Sequence, residues 1–219
     1  MHGNIAAGSS SGGLLLKNPG RIGPAALVNV GTSVLPVDPD DEDQRCVAVA
    51  VSGTGERMLT TTLARRCAER TYDCVRKVKL PGGKGTVLEE CTEDEALASV
   101  INNEFMGHPG VAHSGFGSAI GVMGVKMERR GIAFFFGHTA ESFAVASMHA
   151  DDIEPQVLVS RINKNEKGKK KDQISVLQGG RLYPFRKKRT KAAEGASPSH
   201  TRSTKANQSA AEGNMKAKG

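Results

Sequence analysis

The spacing of apolar residues predicts a buried strand followed by two helices in the first half of the chain. Cys46–Val51 is a continuous apolar run of the kind found in buried strands. Over Glu56–Tyr72 the apolar side chains recur at helical spacing, and this predicts a helix. Thr92 followed by Glu95 has the pattern of a capping box, so a second helix is expected directly after Thr92.

The remaining apolar segments predict strands on both sides of these helices. The arginine pair before Gly131 has the length of a tight turn between two antiparallel strands. Strands that precede and follow a pair of helices indicate an α+β fold, with helices packed on an antiparallel sheet, rather than alternating βαβ units. The additional predicted strands are Ile5–Ala7, Ser118–Val125, Gly131–Gly137, Ser142–Ser147 and an edge strand within Gln173–Tyr183.

Charge is concentrated at one end of the sequence. The 219 residues carry a net charge of +7, and only 4% of them are aromatic, so a core would consist mainly of aliphatic side chains. Residues 186–219 contain nine basic and two acidic residues, which account for the whole excess. The neutral remainder argues against a nucleic-acid-binding face on a folded domain, so nucleic acid is expected to bind at most through this tail. Arg186–Arg189 has the composition of a nuclear signal.

Other classes of protein are disfavoured by what the sequence lacks. No apolar run approaches the roughly 20 residues of a membrane helix. No basic segment followed by an apolar one resembles a signal peptide. The four cysteines and the histidines lack metal-binding spacing. We therefore expect an intracellular protein of the cytoplasm or nucleus, without membrane association, metal or cofactor.

Two glycine-bearing turns carry candidate chemistry. Ser9–Gly13 offers hydroxyls and backbone amides that suit an anion or a polarised carbonyl, although a flexible turn has the same composition. Ser52–Glu56 connects the buried strand to a helix, where glycines permit close approach of a ligand and the helix start favours negative charge. A simple capped turn remains the alternative there. Arg21 has the fork geometry that binds carboxylates, or it is merely solvated.

Three separated segments together resemble one family. Gly3–Gly23, with its serine–glycine and Asn18-Pro19-Gly20-Arg21 patterns, resembles the start of the β subunit of asparaginase-like N-terminal-nucleophile (Ntn) hydrolases. Ser52–Glu56 is similar to the second active-site loop of that family. Phe135–Ser142 resembles a late segment of its threonine aspartase (taspase) branch. The order and spacing of these segments agree across residues 3–160.

The resemblance implies an αββα sandwich made by a precursor that cleaves itself. The freed N-terminal threonine of the β subunit then attacks an amide carbonyl, with its own amine as the base. Here Met1 precedes the first motif and no Asp-Thr-Val-Gly segment occurs. We therefore expect an incomplete sandwich, a β-subunit portion lacking its first strand and its nucleophile, and inactive alone. We expect the missing α-subunit portion as its partner, in a heterodimer of subunits or a dimer of these.

The resemblance also implies roles for individual residues. Ser11 matches the hydroxyl that hydrogen-bonds the amine of the nucleophile. Ser52 and the Gly53 amide match the oxyanion site, so these three residues are the catalytic candidates. Arg21 matches the clamp for the substrate carboxylate, and Gly55 matches a glycine that faces the substrate. The resemblance covers residues 1–160, which we expect to be a β-subunit-like part. Composition divides the remainder into 161–185, a Lys-rich insertion with the possible edge strand, and 186–219, a disordered basic tail.

Pro24 departs from the asparaginase pattern. Asparaginases carry an aspartate close to this position to hold the α-ammonium of free substrate, and proline forms no ion pair. A threonine aspartase cleaves after an internal Asp, whose α-nitrogen is an uncharged amide. The departure favours a threonine-type endopeptidase that cleaves protein or peptide substrates after Asp. The alternatives are an asparaginase or isoaspartyl peptidase type of amidohydrolase, or a noncatalytic remnant that binds a partner.

Overall fold

The structure, a computed structural model, describes residues 4–113, 118–162 and 176–185. The chain divides into two units, Met1–Phe185 and Arg186–Gly219, and all described residues belong to the first. The predicted tail at 186–219 and most of the predicted insertion lie outside the described residues. The strands are β1 (Thr32–Leu35), β2 (Cys46–Gly53), β3 (Val75–Lys79), β4 (Thr86–Glu90), β5 (Ile120–Glu128), β6 (Gly131–His138), β7 (Ser142–Ser147), β8 (Gln156–Arg161) and β9 (Leu177–Pro184). The α-helices are α1 (Gly55–Thr61), α2 (Leu63–Asp73), α3 (Glu93–Ser99) and α4 (Pro109–Ala112), with a short 3₁₀-helix at Pro24–Ala26 and a π-helix at Val100–Met106.

A five-stranded sheet with the order β1-β2-β5-β6-β9 forms the centre of the described structure. Every neighbouring pair of its strands is antiparallel. Strand β2 occupies an interior position, and this explains why its sequence is continuously apolar. Strands β5 and β6 are joined across Arg129 and Arg130 as a hairpin, which confirms that prediction.

Helices cover one face of this sheet. Alternate valines of β2, including Val47 and Val49, are buried together with Leu63 of α2 and Phe105 of the π-helix. The capping box at Thr92 is formed, with reciprocal bonds between Thr92 and Glu95. Helices on an antiparallel sheet are consistent with the predicted α+β class.

The segment predicted as one helix over Glu56–Tyr72 is two helices. Thr62 has φ 47° and ψ 49°, a left-handed conformation that ends α1 and starts α2. A positive φ at a β-branched residue is strained, so tertiary contacts must hold it. The apolar spacing nevertheless places Met58 and Leu63 in the same core, because the bend keeps both helices on the sheet.

A second layer lies on the opposite face of the sheet. Strands β7 and β8 pair with each other, and the ring of Phe143 occupies the space where a side chain on Gly121 of β5 would lie. His138 anchors this layer, because its buried ring contacts Ala140 and Ser160 at 2.8 Å each. The carbonyl of Ala140 can only accept, so Nδ1 donates there and Nε2 accepts from the Ser160 hydroxyl.

Several predicted boundaries were wrong. The structure has no strand at Ile5–Ala7, and residues 4–13 run as an irregular segment. Strand β5 begins at Ile120 rather than Ser118. The β3–β4 hairpin was not predicted, because its strands carry several charged residues and lack a continuous apolar run. Strand β8 was not predicted either, because its apolar residues form a short run without alternation of polar and apolar positions. In the described ranges no helix has the length and apolar character required to span a bilayer.

Candidate functional site

The serine-rich segment is held as a loop by its own hydrogen bonds. Ser9 Oγ donates to the carbonyl of Ala25 at 3.2 Å, which fastens the segment to the 3₁₀-helix. Ser11 Oγ accepts from the Gly13 amide at 3.0 Å. The Lys17 ammonium donates to the carbonyl of Gly12. These bonds hold residues 9–13 as a loop, because a local hydroxyl competes with regular structure for backbone partners.

This loop and the end of β2 enclose a cavity of about 320 Å³. Ser11 lines one side, and Ser52 and Gly53 line the other. The three catalytic candidates are therefore brought to one place although about 40 residues separate them in sequence. Beyond them the lining comprises Gly8, Ser9, Ser10, Pro24, Ala25, Ala50, Val51, Met58, Gly121, Met123, Phe143 and Ala144.

At Gly53 the end of β2 packs closely against the start of β5. Its φ is 149°, in the region that favours glycine. A Cβ at this position would overlap the carbonyl oxygen of Ala119 and lie 2.9 Å from Cα of Ile120. Packing alone therefore requires glycine at this position, whether or not its amide also binds a substrate.

Replacing Gly53 with alanine is expected to lower the free energy of unfolding by roughly 1–3 kcal/mol, because the backbone is strained and β5 must move. The change can be measured by urea unfolding of the full chain. Gly12→Ala is the matched control, because nothing lies within 4 Å of a Cβ placed there. Equal losses for the two variants would contradict the close packing at Gly53.

Gly55 lies beside the cavity rather than in its lining. A Cβ on Gly55 would lie 2.7 Å from Cγ and 3.0 Å from Cδ of Pro24, so the proline ring covers this glycine. Pro24 itself lines the cavity. The residue that departs from the asparaginase pattern is thus in contact with the glycine that the resemblance assigns to the substrate side.

Arg21 does not line the cavity and forms an ion pair with Glu56, the residue that follows Gly55. Arg21 Nη2 and Glu56 Oε1 are 3.1 Å apart, with Arg21 25% and Glu56 69% exposed. The backbone amide of Glu56 and the Arg21 guanidinium lower the pKa of this carboxyl below its ordinary value. Exposed pairs contribute about 0–1 kcal/mol, so Glu56 can yield the guanidinium to another carboxylate. Sequence reasoning missed this partner, because Glu56 was interpreted only as a capping residue.

A second cavity of about 390 Å³ lies between the sheet and β7. Its walls are mostly apolar and include Ala48, Met123, Val125 and Phe134. In the described ranges no group of three or more His, Cys, Asp or Glu side chains converges as a metal site would.

The comparison with protein families bears on the part of the chain that supplies most of the lining of the first cavity. The family model described as Asparaginase matches residues 1–79 of the 219 residues. This match supports an asparaginase-like Ntn-hydrolase family. The matched range contains all five candidates, Ser11, Arg21, Ser52, Gly53 and Gly55, whereas the Phe135–Ser142 segment lies beyond it.

Proposed function

We propose that this chain is the β-subunit portion of a threonine aspartase-like Ntn hydrolase, which cleaves peptide bonds after Asp. The observation that carries the proposal is the convergence of Ser11, Ser52 and Gly53 on one cavity. Arg21 Nη1 approaches the serine-rich loop of that cavity, 3.4 Å from where a Cβ on Gly13 would lie. Hydroxyls and an amide around one space suit a carbonyl that becomes an oxyanion. A guanidinium nearby suits the carboxylate of the same substrate residue.

Each residue has a distinct part in the proposed reaction. The threonine hydroxyl of the nucleophile attacks the carbonyl after Asp, and its own amine takes the proton. Ser11 hydrogen-bonds that amine and orients it. Ser52 Oγ and the Gly53 amide donate to the oxygen that becomes negative, and the amine then protonates the leaving nitrogen. Water subsequently hydrolyses the ester. The nucleophile comes from polypeptide outside this sequence, which contains no Asp-Thr-Val-Gly segment.

Pro24 supports the aspartase branch over free amino-acid substrates. The lining of the described cavity includes no Asp or Glu, and Pro24 occupies the wall beside Gly55. A free α-ammonium would lose its hydration there without gaining a carboxylate partner, which is unfavourable. A peptide nitrogen carries no charge and avoids this loss.

Exposed apolar strands support an incomplete αββα sandwich. In β8, Val157 is 70% and Val159 51% exposed, although side chains of this kind are normally buried in sheet layers. The apolar second cavity borders the same layer through Ala146 of β7. We propose that the α-subunit portion and the strand that carries the nucleophile cover these surfaces. The assembly would be a heterodimer of the two subunits or a dimer of such heterodimers.

An asparaginase-type amidohydrolase is the second candidate. The family match is to a model described as Asparaginase, and Arg21 suits the carboxylate of free asparagine equally well. The two candidates differ in whether the α-nitrogen of the substrate is an amide or an ammonium. Asparagine and peptides that contain Asp therefore discriminate between them.

The chain alone is expected to hydrolyse neither asparagine nor peptides that contain Asp, because it lacks a nucleophile with a free amine at the cavity. Co-production with an α-subunit polypeptide that ends in the Asp-Thr-Val-Gly segment should restore cleavage after Asp. Peptide cleavage and ammonia release measure the two activities. Turnover by the isolated chain would contradict the account of the nucleophile, and ammonia release from asparagine alone would favour the second candidate. A folded complex without either activity would indicate a noncatalytic remnant.

A further inference from the structure

A pair of cysteines lies at the base of the β3–β4 hairpin, far along the chain from the residues of the proposed active site. The ladder between β3 and β4 begins at the Val75–Glu90 pair, so one further step places Cys74 opposite Cys91. The Cys91 amide donates to the Cys74 carbonyl at 2.8 Å, which continues the ladder by one bond. Because this bond joins the amide nitrogen of Cys91 to the carbonyl oxygen of Cys74, standard bond lengths keep the two Cα atoms within about 6.7 Å of each other. Disulfides span roughly 4.4–6.8 Å, so the two backbones are suitably placed for one.

A buried lysine contacts one of these two sulfur atoms. The Lys126 ammonium donates to Cys74 Sγ at 3.1 Å. It also pairs with Glu93 at 2.8 Å and Glu128 at 3.1 Å, and both carboxylates partly offset its charge. A cation beside a thiol stabilises the negative charge that sulfur carries when it attacks a disulfide. Burial lowers the pKa of Lys126, but the bonds to Glu93 and Cys74 outweigh burial and raise it, so the ammonium stays charged.

The other cysteines differ in ways that make Cys74 and Cys91 distinct. Cys46 and Cys67 are buried, and burial raises the pKa of each thiol. Cys74 and Cys91 are only partly buried. Burial and Glu95 also raise the pKa of Cys91, Arg76 lowers it, and a charge on Cys74 raises it further, as expected for neighbouring thiols. Because the Lys126 ammonium contacts Cys74 Sγ, we assign Cys74 as the attacking sulfur and Cys91 as the sulfur that attacks second.

We propose that Cys74 and Cys91 form a thiol–disulfide exchange site that accepts low-molecular-weight disulfides of the glutathione class. The Cys74 thiolate attacks one sulfur of the oxidised glutathione, which forms a mixed disulfide and releases one glutathione thiolate. The Cys91 thiolate then attacks Cys74 Sγ, which forms the Cys74–Cys91 bond and releases the second glutathione. The two protein thiols lose two protons and two electrons, and two reduced glutathione molecules gain them.

The bond would fasten two helix ends together. Cys74 is the C-cap of α2 and has a left-handed conformation with φ 51°. Cys91 directly precedes Thr92, the N-cap of α3. Oxidation would thus close the base of the hairpin, at the sulfur atom that Lys126 contacts. Nothing in this inference depends on the proposed hydrolase function.

The test treats the full native chain with oxidised glutathione and maps the products by peptide mass spectrometry under non-reducing conditions. We expect one intramolecular disulfide, Cys74–Cys91, with Cys46 and Cys67 remaining as thiols. In urea the same reagent should yield mixed pairings, because only the folded chain places the two cysteines together. Random pairing in the native chain, or unreacted Cys74 and Cys91, would overturn the proposal.

Single variants separate the two steps. Cys91→Ser should retain glutathione on Cys74, because the resolving thiol is absent. Lys126→Met should slow the first step about three- to tenfold, whereas Lys79→Met, which changes an exposed lysine of β3, should leave the rate unchanged. If the Cys91→Ser variant did not accumulate the mixed disulfide on Cys74, the assignment of Cys74 as the attacking cysteine would be overturned. Equal rates for both lysine variants would overturn the role of Lys126.

Discussion

Replacing Arg21 with leucine is expected to lower kcat/KM for cleavage after Asp by about 10²–10³-fold in the assembled enzyme, because a substrate carboxylate at the cavity would lose its charged partner. Leucine retains much of the apolar stem of arginine but cannot donate hydrogen bonds. The side chain is mostly buried and its guanidinium reaches the edge of the cavity loop, where a Cβ on Gly13 would lie 3.4 Å from Nη1. Peptides with Asp and with Asn before the cleaved bond, assayed in parallel, measure the loss of selectivity.

Two controls accompany the Arg21 variant. Arg57→Leu removes a guanidinium from the same region, but that group donates to the carbonyl of Gly110 at 2.9 Å and not to Glu56 or the serine-rich loop. It should leave the preference for Asp intact. Glu56→Gln weakens the competing partner of Arg21 and should keep or lower KM for the Asp peptide. If the leucine variant retained full preference for Asp, Arg21 would not be the carboxylate clamp.

Replacing Glu104 with alanine is expected to lower the free energy of unfolding by about 3–5 kcal/mol, because it leaves a buried cation without its partner. Glu104 is only 4% exposed and Arg70 only 13%. Arg70 Nε donates to Oε1 of Glu104 at 2.8 Å, and Arg70 Nη2 donates to Oε2 at 3.2 Å. The bond to Glu104 raises the pKa of Arg70 in the native chain. Without Glu104 the guanidinium still stays charged, because arginine does not lose its proton in proteins.

An exposed ion pair in α2, the helix that carries Arg70, supplies the matched control. Arg65 Nε and Glu69 Oε1 are 2.6 Å apart, but both side chains are more than a third exposed. Glu69→Ala should therefore lower the free energy of unfolding by no more than about 1 kcal/mol. Urea unfolding followed by circular dichroism measures both variants. Equal losses of unfolding free energy in the two variants would mean that burial of Glu104 does not determine the strength of its ion pairs.

Elements with a strong local pattern could be predicted from the sequence, and exposed ones could not. The apolar run of β2, the hairpin at Arg129–Arg130 and the capping box at Thr92 depend on neighbouring residues and were found. The β3–β4 hairpin was missed, because its strands carry charges on exposed positions. The break at Thr62 was missed because the apolar spacing continues through it.

The sequence predicted which residues form the candidate site but not how they contact one another. The motifs around Ser11, Arg21 and Ser52 were found by their resemblance to one family. Sequence reasoning did not find that Glu56 pairs with Arg21 or that Pro24 covers Gly55. Those contacts depend on where the 3₁₀-helix at Pro24–Ala26 meets the start of α1.

The sequence by itself determined the local elements, the neutral charge of residues 1–185 and the candidate residues, because these follow from spacing and residue type. Only the tertiary structure decided which side chains meet. It turned the expected strand at Ile5–Ala7 into a loop over β2, and it buried Lys126 beside Cys74. The physical reason is that backbone hydrogen bonds and apolar periodicity act over a few residues, whereas contacts between distant segments depend on how the sheet, helices and second layer stack.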